Sequence, residues 1–341
     1  MTKQIAVPNI AIIMPVWNAH STIVSALHSI FMQRHVEFKV YLVVDGEEKG
    51  SYDYLKKKFK VKIHYLPVNA GPGVARQYGI DHTKEPYISF IDSDDAYLTT
   101  LALFYQHLPF TEDKTYSVVS CTFWQEQMNK SIKVHQSDMI WMHGKMYKRQ
   151  FLDDNDIRFN ETRANEDVGF NTQCQCYTSE KDQIVSIKEP TYMWQWRADS
   201  TVRADNQSYC YNESISGFVK NKIYAFERVL KKQPIDKQLI DNRMKVLIIS
   251  GLVYLFNKYT EAKTIMPKML KHIKTYSKIY YQKFYPLVKN LDMEKAVLKH
   301  LEVKNYNSYL EWQILLEEPM NKYEIKISRE LERKKADSKV D

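Results

Sequence analysis

Ile88-Ser-Phe-Ile-Asp-Ser-Asp-Asp-Ala-Tyr97 is a short apolar run that ends in three carboxylates. The run predicts a buried strand, and Asp92, Asp94 and Asp95 then place clustered negative charge at its carboxyl end. Carboxylates that close repel one another, and each raises its neighbour's pKa. A divalent cation removes the conflict, and hard oxygen ligands suit Mg²⁺ or Mn²⁺. An Asp-x-Asp of this kind commonly holds a metal against the phosphates of a nucleotide. The same residues also fit a solvated Asp-rich turn with a helix cap, and the segment alone does not choose between the two.

The sequence before this segment supplies the fold. Asn9–Val16 is almost wholly apolar, Phe38–Val44 is a second apolar run ending on Asp45-Gly46, and Val61–Leu66 and Pro86–Ile91 follow as third and fourth strands. Between them, His20–Gln33 carries Ile23, Leu27, Ile30 and Phe31 at helical spacing, with Ser21 or Asn18 as cap. Tyr52–Phe59 reads as a short basic helix, and Val74–Asp81 as a helix after the break at Asn69-Ala-Gly-Pro-Gly73. Strands alternating with helices predict an α/β fold with a parallel sheet covered on both faces. Ligands of such sheets bind at the carboxyl ends of the strands, where Asn18, Asp45 and Asp92 stand.

Beyond Leu101 the pattern is mixed. Val118–Phe123, Gln183–Ile187 and Thr191–Trp196 read as extended, and Gly144–Leu152 and Asp167–Cys176 as helical. After about residue 207 the chain reads as helical throughout, with Ile215–Lys231, Gln238–Lys258 and Ala262–Tyr276 as segments. We expect a domain over 1–206, a helical module over 207–327 and a charged, frayed tail over 328–341.

Composition narrows the class. The chain has 341 residues, 44% of them hydrophobic, which suits one large or two unequal globular domains. Its longest apolar run, Val246–Phe256, falls short of the ~20 residues of a membrane span. No signal-peptide pattern opens the sequence. The 4 cysteines form no disulfide framework, and Cys174-Gln-Cys176 lacks the second pair that a zinc site needs, so a cytoplasmic protein with reduced thiols is expected. Charge is uneven: Gly217–His300 holds 18 Lys and Arg against 6 Asp and Glu, a net of +12 in a chain of +8 overall. That asymmetry fits a polyanionic partner or an anionic membrane surface, and equally a solvated Lys-rich helix face.

Read together, the motifs resemble a family 2 glycosyltransferase of the GT-A fold over about residues 9–205. They are Ile13-Met-Pro-Val-Trp-Asn18, Val43-Val-Asp-Gly46, Asn69-Ala-Gly-Pro-Gly-Val-Ala-Arg-Gln-Tyr-Gly79, Phe90-Ile-Asp-Ser-Asp-Asp95, Gly144-Lys-Met-Tyr-Lys-Arg149 and Asn165-Glu-Asp167, in the family's order. Two departures stand out: Asp45-Gly46-Glu47 replaces the usual Asp-Asp-Gly-Ser, and Trp17 replaces a Tyr.

The resemblance implies a Rossmann-like, mostly parallel sheet, a UDP-sugar donor and a Mn²⁺ or Mg²⁺ cofactor. It implies that Pro15, Val16, Asn18, Asn69, Gly71 and Ser93 line the nucleotide-sugar site. Asp45 would read uracil, with Arg76 on the base edge or on Asp45 itself. Asp94 would hold the metal, and Asp92 would bind the metal's outer shell or the ribose. Arg197 and Ser200, with Arg203 as substitute, would close over the diphosphate. Gly144, Lys145 and Trp194 would face the acceptor. Asp167 would deprotonate the acceptor hydroxyl, with Glu166 as fallback, although Asn165-Glu-Asp167 also has the makeup of a simple helix start.

The expected activity is inverting, metal-dependent transfer to a hydroxyl of a surface glycan or anionic wall polymer. The helical module would hold the acceptor, dock on anionic lipid at the inner face of the membrane, or form a homo-oligomer. Transfer to modified bases of DNA ranks behind it, because no nucleic-acid-binding motif is present. A non-catalytic nucleotide-sugar scaffold would not need Asp92, Asp94 and Asp167. A nucleotidyltransferase would place a phosphate loop where Pro15-Val-Trp-Asn18 stands.

Overall fold

In β1 (Asn9–Val16), Ile10 to Met14 are all buried, because strands lie on both sides of it and both faces are covered. It pairs in parallel with β2 (Glu37–Asp45) and β4 (Tyr87–Phe90), and β2 pairs in parallel with β3 (Val61–Leu66). The crossovers are α1 (Ile23–Phe31), a 3-10 turn (Asp53–Lys57) and α2 (Pro72–Asp81). The computed structural model describes residues 9–178, 183–198, 213–232, 237–265, 267–291 and 306–333.

At β4 the sheet changes polarity. Its other neighbour, β8 (Lys145–Lys148), is antiparallel to it and to β6 (Tyr116–Glu126). Next comes β9 (Gln183–Trp194), parallel to β6, and then β5 (Ala96–Tyr97), antiparallel to β9. A short β7 (Ile132–His135) pairs with β6 off the main path, giving a mixed sheet of order β3-β2-β1-β4-β8-β6-β9-β5. The remaining helices of this unit are α3 (Ala102–Glu112), α4 (Arg149–Asp154) and α5 (Glu166–Cys176).

Several expectations are corrected. Gly144–Leu152 is not one helix: residues 145–148 form the buried strand β8, and only Arg149–Asp154 is helical. The two extended segments near the end of this unit are one strand, β9, with register irregularities opposite Thr122. The basic helix at Tyr52–Phe59 is a single 3-10 turn. Helix α1 is preceded by Thr22 without a side-chain cap, so neither Ser21 nor Asn18 caps it. Asn165 takes a left-handed conformation (φ 56°) before α5 and makes no cap bond there.

The chain divides into two compact units, Met1–Ala204 and Asp205–Asp341. The boundary expected at 206/207 lies outside the described residues. The second unit is helical: α6 (Ser214–Lys231), α7 (Lys237–Ile265), α8 (Leu270–Val288), α9 (Tyr306–Glu317) and α10 (Lys322–Arg333). Its core holds Phe226, Leu255, Tyr280 and Trp312. The expected segment Ala262–Tyr276 spans the end of α7, a 3-10 turn (Pro267–Met269) and the start of α8. Helix α10 runs through residue 333, so the chain does not fray from residue 328 as expected. Among the described residues no helix is long and apolar enough to cross a membrane.

Candidate active site

The carboxyl ends of β1, β2 and β4 meet one edge of the sheet, and the turns after them carry the polar residues. After β2, Asp45 is buried and accepts the N–H groups of Ala70 and Gly71, each at 2.8 Å. The carboxylate therefore shapes the turn Asn69–Gly71. Gly71 needs its glycine (φ +99°), and a Cβ on Gly46 would lie 2.1 Å from the Asn69 nitrogen. Asn69 presents its carbonyl to Arg163 at 2.7 Å. After β1, Pro15 is partly exposed and the Val16 side chain sits in the core. Asn18, exposed and left-handed (φ 49°), donates its N–H to Glu47 at 2.9 Å.

Arg76 reaches neither Asp45 nor an exposed base site. It is buried and bridges Asp92 and Glu166, at 2.5 Å to each. Burial opposes its charge, but the two carboxylates win and hold it above its ordinary pKa. Burial likewise works against ionised Asp92, and the Arg76 guanidinium overrides it and holds that carboxyl below its usual range. Glu166, tied into this pair, is poorly placed as a fallback base.

The other two carboxylates answer differently. Asp94 pairs with Arg197 at 3.2 Å, yet burial and the Asp92 charge raise its pKa. Asp95 is buried and accepts the Tyr192 hydroxyl at 2.6 Å and the Gln195 N–H at 2.9 Å. Burial, with Asp94 and Asp92 nearby, pushes its carboxyl well above the usual range. Ser93, between Asp92 and Asp94, is buried. His143 Nδ1 lies 4.0 Å from Asp95, and burial depresses its pKa to about 4, so the imidazole is neutral at pH 7. Ligand atoms of Asp92, Asp95 and His143 all lie within 4.8 Å of one another. Two carboxylates and a neutral imidazole suit Mn²⁺, and a cation would also relieve the repulsion that raises Asp94 and Asp95. The residues fit such an ion. The grouping differs from the expected Asp92–Asp94 pair by turning to Asp95 and His143.

Asp167 stands in the first turn of α5. It is partly exposed, and its Oδ1 accepts the Val168 N–H at 2.8 Å. Burial first, then the neighbouring Glu166 charge, push its carboxyl up to about 7, while Arg76 pulls the other way. A carboxylate poised near neutrality has the proton affinity of a general base.

On the acceptor side, Lys145 is fully buried and cannot meet a ligand. Its ammonium donates to the Trp141 carbonyl at 2.5 Å and pairs with Asp138 at 3.3 Å. Gly144 is buried (φ +63°), with its carbonyl accepting the Cys121 N–H at 2.9 Å. Trp194 is partly exposed, with its ring centroid 4.5 Å from that of Trp141. Ser200 and Arg203 lie outside the described residues. Sequence reasoning gave no role to His143, Tyr192 or Trp141. The one signal for His143 was its place directly before Gly144-Lys145.

Residues 11–164 match the family described as Glycosyl transferase family 2. A curated relative, a putative teichuronic acid biosynthesis glycosyltransferase of Bacillus subtilis, is 34% identical over 92 residues, which is 26% of this chain and 36% of the relative. This chain thus spans little more than a third of that protein. Among solved structures, S. aureus TarS 1-349 in complex with UDP-GlcNAc superposes with a TM-score of 0.62 at 18% identity, covering 89% of this chain and 92% of that one. A mannosyltransferase from Pyrobaculum calidifontis in complex with GDP-Man and Mn²⁺ gives 0.51 at 13% identity, covering 91% and 85%. Both share the fold. Residues 11–164 accordingly belong to a family 2 glycosyltransferase domain, built on the GT-A fold.

Proposed function

We propose that this protein transfers a sugar from a UDP-sugar to a hydroxyl of a surface glycan or anionic wall polymer, inverting the anomeric centre and using Mn²⁺ or Mg²⁺. One observation carries the reading: a chelating group (Asp92, Asp95, His143) and an accessible carboxyl near neutral pKa (Asp167) share the ligand-binding end of the sheet, joined through Arg76. The UDP part is supported by the UDP-GlcNAc-bound neighbour, and the anionic polymer by the relative named for teichuronic acid. Inversion rests on the family.

The residues divide the work. Asp45 holds the turn Asn69–Gly71 in the shape that lets a nucleotide approach the backbone at Gly71. Arg197 brings positive charge beside Asp94, where a diphosphate would lie. Asp92 and Asp95 with His143, or Asp92 with Asp94, would hold the ion. When bound, it neutralises charge on the departing diphosphate as a Lewis acid. Asp167 takes the acceptor hydroxyl's proton, a role worth ~10²–10⁴ in rate. The basic second unit would gather a polyanionic acceptor or keep the enzyme, expected in the cytoplasm, at the inner membrane face.

The test is a UDP-release screen over UDP-sugars with Mn²⁺, with and without glycan and wall-polymer acceptors. One donor should release UDP, faster with acceptor and not in EDTA. If calorimetry finds no UDP-sugar that binds, the reading fails.

A further inference from the structure

Apart from His143, proton transfer and donor binding give no task to the irregular segment Asp138–His143, although the fold invests heavily in it. Its backbone is pinned at five successive groups by side chains. The Asp138 carboxylate accepts the N–H groups of Ile140 and Trp141 at 2.9 and 2.8 Å. Gln175 donates to the Met139 carbonyl at 3.0 Å, and Asn171 to the Ile140 carbonyl at 2.7 Å. Asn171 and the buried Lys145 ammonium both donate to the Trp141 carbonyl, at 3.3 and 2.5 Å. Burying an ammonium costs several kcal/mol unless it is paired. Here the partners it finds are this segment's Trp141 carbonyl and Asp138.

What the clamp holds is a set of rings. Trp141 packs on Trp194 (centroids 4.5 Å apart) and on His143 (5.7 Å), and Trp194 lies 5.2 Å from His143. Both tryptophans pack against the core with part of each ring and stay partly exposed. The clamp also has a direction. Asp167, Asn171 and Gln175 follow one another at four-residue spacing on α5, so they form one stripe of that helix. The helix that presents the base therefore also fixes the aromatic segment. The donor turn, by contrast, is built from Asp45 and Gly71.

We propose that Trp141 and Trp194 form a stacking platform for a pyranose ring of the acceptor, the ring adjoining the hydroxyl that Asp167 deprotonates. It rests on the glycosyl-transfer reading above. A pyranose has an apolar face of axial C–H groups, and the negative face of an indole attracts it. Rigid aromatic walls with a few fixed polar groups are the usual lining of small-ligand sites. Asn171, Gln175 and Lys145 act here as positioning residues, because they hold backbone and touch no ligand. A platform held at five backbone groups selects for a ring at one height above the base, and so for which hydroxyl is glycosylated.

The test uses the full chain with its preferred UDP-sugar, Mn²⁺ and a panel of p-nitrophenyl pyranosides as acceptors. Trp141→Ala and Trp194→Ala should each raise the acceptor KM at least tenfold, with UDP affinity by calorimetry within twofold of wild type. Trp141→Phe should recover most of the loss, since a flat ring remains. Asn171→Ala should scatter the product over more than one hydroxyl, read by NMR of the disaccharide. Acceptor KM unchanged in both Trp→Ala variants overturns the proposal, as does an equal loss of UDP affinity, which would mark the rings as fold only. UDP-sugar binding with no pyranoside accepted overturns the platform and leaves the donor reading standing. No UDP-sugar binding removes both.

Discussion

Asp167→Asn should give a protein that is nearly inactive and more stable than wild type. The fold holds the Asp167 carboxyl up at about 7, chiefly by burial. An unfolded Asp titrates near ~3.9. Between those values the folded state binds the extra proton, so stability is fully present at low pH and falls as pH rises toward 7. Three pH units amount to ~4 kcal/mol. Asp167 keeps an edge open to solvent, which screens part of this, so ~2 kcal/mol is the expected penalty at pH 8. Asparagine never carries the charge, and its Oδ1 can still accept the Val168 N–H. At ~2–4 °C per kcal/mol, the variant should melt roughly 4–8 °C above wild type at pH 8. The gap should shrink to about a third by pH 5 and close only below the unfolded value of ~3.9. The assay is scanning calorimetry in EDTA from pH 5 to 8, beside a UDP-release assay in which transfer falls ~10²–10⁴ while UDP affinity holds. A variant equally destabilised at both pH values, or one turning over like wild type, refutes the reasoning.

Four further outcomes follow from the geometry. Gly46→Ala would drive a Cβ into the Asn69 backbone at positive φ, so both stability and UDP affinity should fall, by at least ~1–3 kcal/mol in a chemical melt. His143→Gln or Asp95→Asn should weaken Mn²⁺ binding, measured by competition with a fluorescent chelator; if only Asp94→Asn does so, the ion uses the Asp92–Asp94 pair. Arg76→Ala leaves the buried Glu166 and the partly exposed Asp92 without their partner and should cost about 3 kcal/mol in urea unfolding, the low end for a broken buried pair. Transfer to a polyanionic wall polymer should fall steeply with NaCl, since attraction to the +12 segment fades within ~8 Å at physiological salt, while transfer to a neutral glycoside should not. Equal salt sensitivity would assign the lysines to a solvated face.

How much of this was legible in the sequence differs by region. Strands β1, β2 and β4 are largely buried on both faces, so they write themselves as apolar runs bounded by Gly, Asp and Pro, while the edge strand β3 is only half-buried. Strand β8 does not: Lys145-Met-Tyr-Lys148 carries a charge at each end, and its partners Asp138 and the Trp141 carbonyl are what admit a lysine in the middle of a sheet. Asp167 was found by motif, and its raised pKa comes first from burial, which the sequence does not show, and then from Glu166 beside it. Arg76 was expected at the nucleobase because it follows a glycine-rich break, whereas helix α2 turns it inward to Asp92 and Glu166. Asp95 and His143 stand 48 positions apart in sequence, and no local spacing marks them as neighbours.

The reversal of strand direction at β4 also bears on how the chain comes together. β1, β2 and β3 find partners within a few tens of residues, whereas β4 must wait for β8, and β5 for β9 close to a hundred residues on. Contacts that close long loops form late. A nascent chain that has emerged only to Tyr97 can already assemble the four parallel strands, with β4 as their bare outer edge. Its Ile88 and Phe90 are side chains that the finished sheet buries completely or nearly so. An open apolar edge recruits strands from other chains. Synthesis that stalls between residues 97 and 145 should therefore yield aggregates joined through Tyr87–Phe90.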